Sequence, residues 1–281
     1  MQFKTFIETQ VLNEEIHKDI MDTANANYSK HYKFNLITKK VRSLIKQGQD
    51  TGLVDDKPKK GSSRAVFFPK DDHEAIVDGV QTKIPHVLKI SFSGRLDKNL
   101  PNDHPLLGTM QNEHEISASR YHSVLTDVGD NKFKSNPEGF LPPLLASHDD
   151  GHWMSVGKVS KIDSTSFKNA TKTEDFPKGI SHKEFRDAVV MHWNESQGRG
   201  DQLYVATPKE KLEKVGEHPL VQRALDFCIN TDTHPGDFEP RNMGIWTHPV
   251  TGEKHVVAAD AGFSREVAKA YSKARKAGMR Y

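Results

Sequence analysis

Carboxylate and amide side chains stand at a fixed spacing towards the C-terminal end of the sequence. Asp237 and Asn242 lie five positions apart in Gly236-Asp237-Phe238-Glu239-Pro240-Arg241-Asn242, and Asp260 follows eighteen positions after Asn242 in Asp260-Ala261-Gly262. Phosphoryl transfer needs such a set, because one carboxylate orients or deprotonates the attacking hydroxyl while an amide oxygen and a second carboxylate hold Mg²⁺ on the nucleotide phosphates. Each residue alone also suits an ordinary turn, so the joint pattern carries the prediction.

The segment between Asn242 and Asp260 predicts a β-hairpin. Met243-Gly244-Ile245-Trp246 and Lys254-His255-Val256-Val257-Ala258-Ala259 are strand-like, and the residues that connect them include Pro249 and Gly252. Proline and glycine between two apolar runs are typical of a turn between paired strands. A hairpin would return the chain, so that Asp260 comes back towards Asn242.

These motifs resemble the protein-kinase-like superfamily, in which a catalytic loop with Asp and Asn five positions apart precedes Asp-Phe-Gly. Asp237 and Asn242 keep that spacing, and Asp260-Ala261-Gly262 stands where Asp-Phe-Gly would. The Gly-Asp pair is closer to the aminoglycoside-phosphotransferase variant. The order of motifs over residues 57 to 264 also resembles small phage-encoded serine/threonine kinases, which implies a phage protein.

The resemblance extends to elements before the loop. Pro85 to Phe92 forms a predicted strand in which Lys89 lies between Leu and Ile, a position where lysine is rare unless its amine has a partner. In the resembled family the partners are ATP phosphate and a helix glutamate. The predicted helix from Asn112 to Leu125 offers Glu115, which we prefer, and Glu113. A lysine on the solvated face of the strand is the alternative.

The resemblance also implies a nucleotide site. The turn at Gly61, Ser62 and Ser63 would cover the phosphates between the first two strands, since small residues let backbone N–H groups approach phosphate oxygens. Val66 would cap the adenine ring, although a plain loop is an alternative for this single-glycine motif.

A second predicted hairpin leads to the implied hinge. The apolar runs from Leu141 to Ser147 and from Trp153 to Val156 flank Asp150-Gly151, a strong hairpin signal. The hinge would follow at 157–159, where Val156 and Val159 would be pocket walls. The two histidines and two aspartates of residues 148–152 could instead form a metal site, which is a minor alternative.

The resemblance thus implies an α+β, bilobal protein-kinase-like fold that binds ATP and Mg²⁺. Its divisions would be an N-terminal helical extension (1–55), a small lobe built on an antiparallel sheet (56–157) and a shortened, mainly helical large lobe with a basic C-terminal helix (158–281). Lys89, held by Glu115, would bind the α- and β-phosphates, while Asn242 and Asp260 would hold Mg²⁺. Asp237 would orient the acceptor hydroxyl.

Composition limits the other classes of function. The 281 residues carry a net charge of +2 with 28% charged residues and a mean hydropathy of −0.69. No apolar run reaches the roughly 18 residues of a spanning helix, and the N-terminus has no signal core, so we expect a cytoplasmic protein without a membrane partner. The single cysteine, Cys228, fits a reducing compartment.

Three hypotheses about function remain open. The first is a kinase that phosphorylates Ser or Thr of a protein partner, the second a small-molecule phosphotransferase, and the third a kinase-shaped, non-catalytic phage structural or host-takeover factor. Gly236 replaces the usual catalytic-loop arginine, and only nineteen residues follow Gly262, so no peptide-docking platform of the familiar kind is expected. The basic helix predicted from Ser264 to Arg280 makes contact with nucleic acid or an acidic partner an alternative, but no aromatic stacking pattern accompanies it, so nucleic acid is not the expected partner.

Two helix starts are predicted from capping patterns in the mainly helical part. Ser181-His182-Lys183-Glu184 and Thr207-Pro208-Lys209-Glu210 both have a hydroxyl residue followed three positions later by glutamate. This spacing is the capping box, in which the two side chains satisfy each other's free N–H groups. A further helix with Leu220, Val221 and Ala224 on one face would run into the catalytic loop.

Overall fold

The computed structural model describes residues 34–48, 50–54, 59–60, 64–91, 107–148, 151, 153–162, 180–199, 207–262 and 264–276. The described residues form six α-helices and twelve strands, so the α+β class is confirmed. The helices are α1 Phe34–Lys46, α2 Leu107–His122, α3 His182–Ser196, α4 Lys209–Gly216, α5 Pro219–Thr231 and α6 Arg265–Lys276. None of the described helices is long and apolar enough to cross a membrane.

Twelve strands form three sheets in the described part of the chain. Their bounds are β1 Lys59–Lys60, β2 Arg64–Phe67, β3 His73–Val77, β4 Val80–Ile84, β5 His86–Ser91, β6 Leu125–Gly129, β7 Lys132–Ser135, β8 Leu144–Ser147, β9 Trp153–Gly157, β10 Ser160–Lys161, β11 Met243–Thr247 and β12 Lys254–Ala258. The sheet orders are β1-β2-β5-β9-β8, β4-β3-β7-β6 and β10-β11-β12. All pairs are antiparallel except β3 with β7.

The five-stranded sheet places Lys89 on the face that α2 covers. Because side chains alternate along a strand, Leu88 and Ile90 point to the opposite face from Lys89, and both are buried. On the face of Lys89, Met154 and Val156 of β9 pack with Ile116 of α2. The packing of α2 on this face brings Glu115 to the strand lysine.

The helical part has its own core, to which the loop before β11 is attached. Helices α3, α4 and α5 contribute most of this cluster, and Phe140, Phe238 and Met243 join it from outside the helices. A third cluster joins the four-stranded sheet to the β11–β12 hairpin through Trp246 and Val257. The hairpin therefore lies between two packed cores, which fixes the position of both its ends.

Most predicted elements are confirmed, but both ends of the helix predicted from Asn112 to Leu125 are wrong, since this helix begins at Leu107. The hairpin from Met243 to Ala258, the strand around Lys89 and the helix before the loop occur as predicted. The helix predicted to end at Leu125 ends at His122, because the Val124 amide donates a 2.9 Å hydrogen bond to the Leu141 carbonyl and the chain enters a sheet. The predicted N-terminal helices before residue 34 lie outside the described residues.

The first predicted capping box is confirmed and the second is wrong. Ser181 accepts a hydrogen bond from the Glu184 amide, and the Glu184 carboxylate accepts one from the Ser181 amide at 2.6 Å. At the start of α4 the cap is Pro208, with no side-chain hydrogen bond. The Thr207 hydroxyl instead donates to Asp187 of α3 at 2.9 Å, so a contact of the preceding loop with α3 has replaced the local cap.

Candidate functional site

The loop that carries Asp237 and Asn242 consists of two short 3-10 turns, Pro235–Asp237 and Pro240–Asn242. Each begins with proline, whose fixed φ suits a first helical position and whose missing N–H is not needed there. Between the turns, Phe238 is fully buried and lies 5.3 Å from Phe140, ring centre to ring centre. The buried ring anchors the loop to the helical core and leaves its polar residues at the surface of that core.

Asn242 holds Asp237 and the segment of Asp260 together. Its Nδ2 donates to the main-chain oxygen of Asp237 at 2.8 Å and to Asp237 Oδ1 at 3.0 Å. Its main-chain oxygen accepts from the amides of Ala259 at 2.7 Å and Asp260 at 3.2 Å. The hairpin thus brings back Asp260 beside Asn242, and the three polar residues of the sequence motif lie in one place.

Lys89 connects this group to the five-stranded sheet. The side chain is buried, and its ammonium donates to Glu115 Oε1 and, at 2.9 Å, to the main-chain oxygen of Ala259. Ala259 is the residue before Asp260, so the ammonium lies between α2 and the end of β12. Of the two candidate glutamates, Glu115 contacts Lys89 and is 1% exposed, whereas Glu113 is exposed and borders Gly151.

The remaining predicted site residues belong to the proposed nucleotide pocket, and the structure describes only some of them. Gly61, Ser62 and Ser63 are outside the described residues, although β1 and β2 on either side of them pair antiparallel. Val66 lies directly opposite Lys89 on the neighbouring strand. Val156 is 2% exposed and packs against Ile116 in the core. Val159 is half-buried and faces Gly244 of β11, whose missing Cβ leaves room for it.

Arg64 is a member of the site that sequence analysis missed. Its guanidinium is 5% exposed, and Nη1 donates to Glu115 Oε2 at 2.7 Å and to Asn112 Oδ1 at 3.2 Å. Nη2 donates to Asp260 Oδ1. The available signal was a charged residue two positions before Val66 in an otherwise apolar strand, which places it on the same face.

Burial and neighbouring charges change the acidity of two of these carboxyl groups. Burial, together with the nearby charge of Asp260, raises the pKa of Asp237 to about 6, although the charges of Arg64 and Arg241 oppose the rise. For Glu115, burial alone would raise the pKa, but the nearby charges of Lys89 and Arg64 and their hydrogen bonds lower it below its usual value. At neutral pH Glu115 is therefore ionised, and Asp237 titrates near the pH at which a general base is most effective.

The donor atoms fit Mg²⁺. Because Asn242 uses its Nδ2 on Asp237, the amide oxygen Oδ1 has no hydrogen-bond donor among the described residues. Asp260 Oδ2 is likewise without one there, and the Asp260 side chain is 49% exposed. Oxygen ligands of this type are those that Mg²⁺ takes, usually with waters and substrate phosphates completing the shell. The described residues contain no cluster of three or more His, Cys, Asp or Glu side chains suited to a metal.

No protein-family model matches this chain. Among curated proteins, too, no significant match is found.

Two cations and three acids meet in this group. Lys89 and Arg64 are the two cations, and Glu115, Asp260 and Asp237 are the three acids. Glu115 is shared by both cations, one at each carboxylate oxygen. The other two acids are Asp237 and Asp260, and solvent reaches the Asp260 side chain. The group can therefore receive a further cation.

Proposed function

We propose that this chain is an ATP- and Mg²⁺-dependent phosphotransferase of bilobal, protein-kinase-like architecture, acting on Ser or Thr side chains of a protein partner. The observation that carries the proposal is the hydrogen bond from Lys89 to Ala259, since it joins the lysine–glutamate pair to the group of Asp237, Asn242 and Asp260. Residues from four separate parts of the sequence meet there. A lysine paired with a helix glutamate and an Asp–Asn–Asp set are the parts that phosphoryl transfer uses.

Each residue has a distinct task in the proposed reaction. Lys89, held by Glu115, binds the α- and β-phosphates, and Asn242 and Asp260 would hold Mg²⁺, which supplies charge neutralisation on the phosphates. Asp237 accepts the proton of the acceptor hydroxyl while the hydroxyl oxygen forms a bond to the γ-phosphorus. The bond from that phosphorus to the bridging oxygen breaks, and ADP leaves. Orientation and charge stabilisation supply the rate, because little covalent work falls to the protein.

The test is transfer of label from γ-labelled ATP, with and without added cell lysate, by wild type, Asp237→Asn and Asp71→Asn. Asp71 is an exposed aspartate before β3 and serves as the matched control. We expect Asp237→Asn to lose transfer by at least about 100-fold while Mg-ATP still raises its melting temperature. Full activity of Asp237→Asn would contradict the assignment. Labelled protein bands support a protein acceptor, and label only in small molecules would support the second hypothesis.

The ion pair of Arg64 with Asp260 favours a second candidate, a kinase-shaped binding protein that does not transfer phosphate. A guanidinium already neutralises the carboxylate that would ligate the metal. This candidate predicts that neither Mg-ATP nor Mg²⁺ alone changes the melting temperature of the wild type. The first candidate predicts stabilisation by Mg-ATP, and a weaker response to Mg²⁺ in Asp260→Asn, because a ligand that binds only the native state stabilises it.

A further inference from the structure

The guanidinium of Arg64 links two acids that come from different parts of the fold. Arg64 begins β2, Glu115 lies in the third turn of α2, and Asp260 follows β12. Nη1 donates to Glu115 and Nη2 to Asp260. Since a guanidinium is planar and presents its donors in a fixed fork, one side chain sets the positions of both carboxylates relative to each other.

Several contacts prevent Arg64 from moving away as a mobile phosphate ligand would. Nη1 also donates to Asn112 Oδ1, and Asn112 is fully buried and itself donates to the Gly151 carbonyl at 2.9 Å. A Cβ at Gly262 would lie 3.2 Å from Nη2 and 2.8 Å from the Cβ of Gln111. The guanidinium is therefore enclosed by α2 and by the glycine two residues after Asp260.

The pairing also determines which oxygen of Asp260 remains available. Oδ1 accepts from the buried guanidinium, and the side chain as a whole is still 49% exposed. A carboxylate held at one oxygen from the buried side presents the other oxygen outward. Ligating carboxylates are commonly oriented by a hydrogen-bond donor of this kind, and loss of such a donor typically weakens metal binding by about 10–100-fold.

We propose that Arg64 is a positioning residue that orients Asp260 for a divalent cation and couples it to Glu115, so that the site is assembled before nucleotide binds. This inference rests on the proposed function. It adds a role for a residue outside the lysine, glutamate, aspartate and asparagine set. It also explains why Glu115 pairs with Arg64 as well as with Lys89. The ammonium of Lys89 bonds to Glu115 and to the backbone, so among the described residues only Arg64 links Glu115 to the Asp260 carboxylate.

The test measures Mn²⁺ binding in the presence of a non-hydrolysable ATP analogue, by the spectrum of free Mn²⁺, for wild type, Arg64→Lys and Arg64→Gln. Lysine keeps the positive charge beside Glu115 but cannot bridge both acids. We therefore expect Arg64→Lys to fold and to bind the analogue, with Mn²⁺ affinity reduced by about 10–100-fold. Arg186→Lys, which changes a partly exposed arginine of α3 paired with Asp187 at 3.7 Å, is the control and should retain wild-type affinity.

The outcomes separate the inference from the function on which it rests. Wild-type Mn²⁺ affinity in Arg64→Lys, even with a lowered melting temperature, would show a purely structural arginine and overturn the inference. A wild type that binds neither Mn²⁺ nor the analogue would overturn the proposed function and the inference with it. If Arg64→Gln does not fold, Arg64→Lys alone decides.

Discussion

The ammonium of Lys89 donates a 2.9 Å hydrogen bond to the main-chain oxygen of Ala259, 170 positions later in the chain. Such a contact cannot be inferred from spacing, because it requires β5, α2 and the β11–β12 hairpin to be packed together first. It also means that Lys89 is held by two partners, a carboxylate and a carbonyl.

Replacing Lys89 by methionine should lower the free energy of unfolding by about 2–4 kcal/mol, because it leaves Glu115 buried with one cation fewer. The remaining ion pair with Arg64 keeps the loss from being larger. Urea denaturation at pH 7 measures the change. Lys83→Met is the matched control, since Lys83 is exposed and lies 3.6 Å from Glu74, and it should cost less than about 1 kcal/mol. Equal losses in the two variants would show that the Lys89–Glu115 contact contributes little.

Asp237→Asn should make the protein more stable at neutral pH. The pKa of Asp237 is raised to about 6 in the folded protein from 3.8, so the folded state holds this proton more tightly and loses stability as pH rises through that interval. Asparagine keeps the acceptor for Asn242 but has no charge to bury. We expect a gain of about 1–2 kcal/mol above pH 7.

Melting curves of wild type and Asp237→Asn between about pH 3 and pH 8 measure this difference, with Asp71→Asn as the control. The two curves should approach each other below pH 4, where the wild-type carboxyl is protonated in both states. A difference that does not depend on pH would contradict the raised pKa. In the transfer assay, the same pKa predicts that wild-type activity falls as pH drops below about 6.

Glu184→Gln should weaken the start of α3. Hydrogen bonding to Lys211 and to the Ser181 amide lowers the pKa of Glu184 to about 2 from 4.5. The stabilisation is therefore complete above pH 4.5 and is lost as pH falls towards 2. We expect a loss of about 1 kcal/mol at pH 7, measured by urea denaturation, that shrinks in acid. Glu210→Gln is the control in α4, where no capping hydrogen bond forms, and an equal loss there would argue against the capping box.

Much of the local structure could be predicted, because its signals lie in neighbouring residues of the sequence. The hairpin after Asn242 was marked by its turn residues, and the helix start at Ser181 by the spacing of its cap. Arg64 was missed because its importance comes from two acids that lie 51 and 196 positions away. The cap at Thr207 was predicted wrongly because its hydroxyl donates to Asp187 of a neighbouring helix and accepts no hydrogen bond from the start of its own helix.

Gly262→Ala should disturb the site more than the fold. The added Cβ would lie 2.8 Å from the Gln111 Cβ and 3.2 Å from Arg64 Nη2, so α2 and the segment after Asp260 must separate slightly. Overpacking of this kind costs about 1–3 kcal/mol, and we expect a clearly reduced shift of the melting temperature by Mg-ATP. Gly79→Ala is the control: it introduces backbone strain at φ 83° without any atom within 4 Å, and it should leave the Mg-ATP response intact.

The main-chain oxygen of Asn242 accepts from both Ala259 and Asp260, so the shape at the base of the hairpin does not depend on what the side chains there do. A lineage could lose the acidic or amide groups one at a time and still inherit the same backbone. A shared backbone outline at this hairpin would then say little about which chains share the same chemistry.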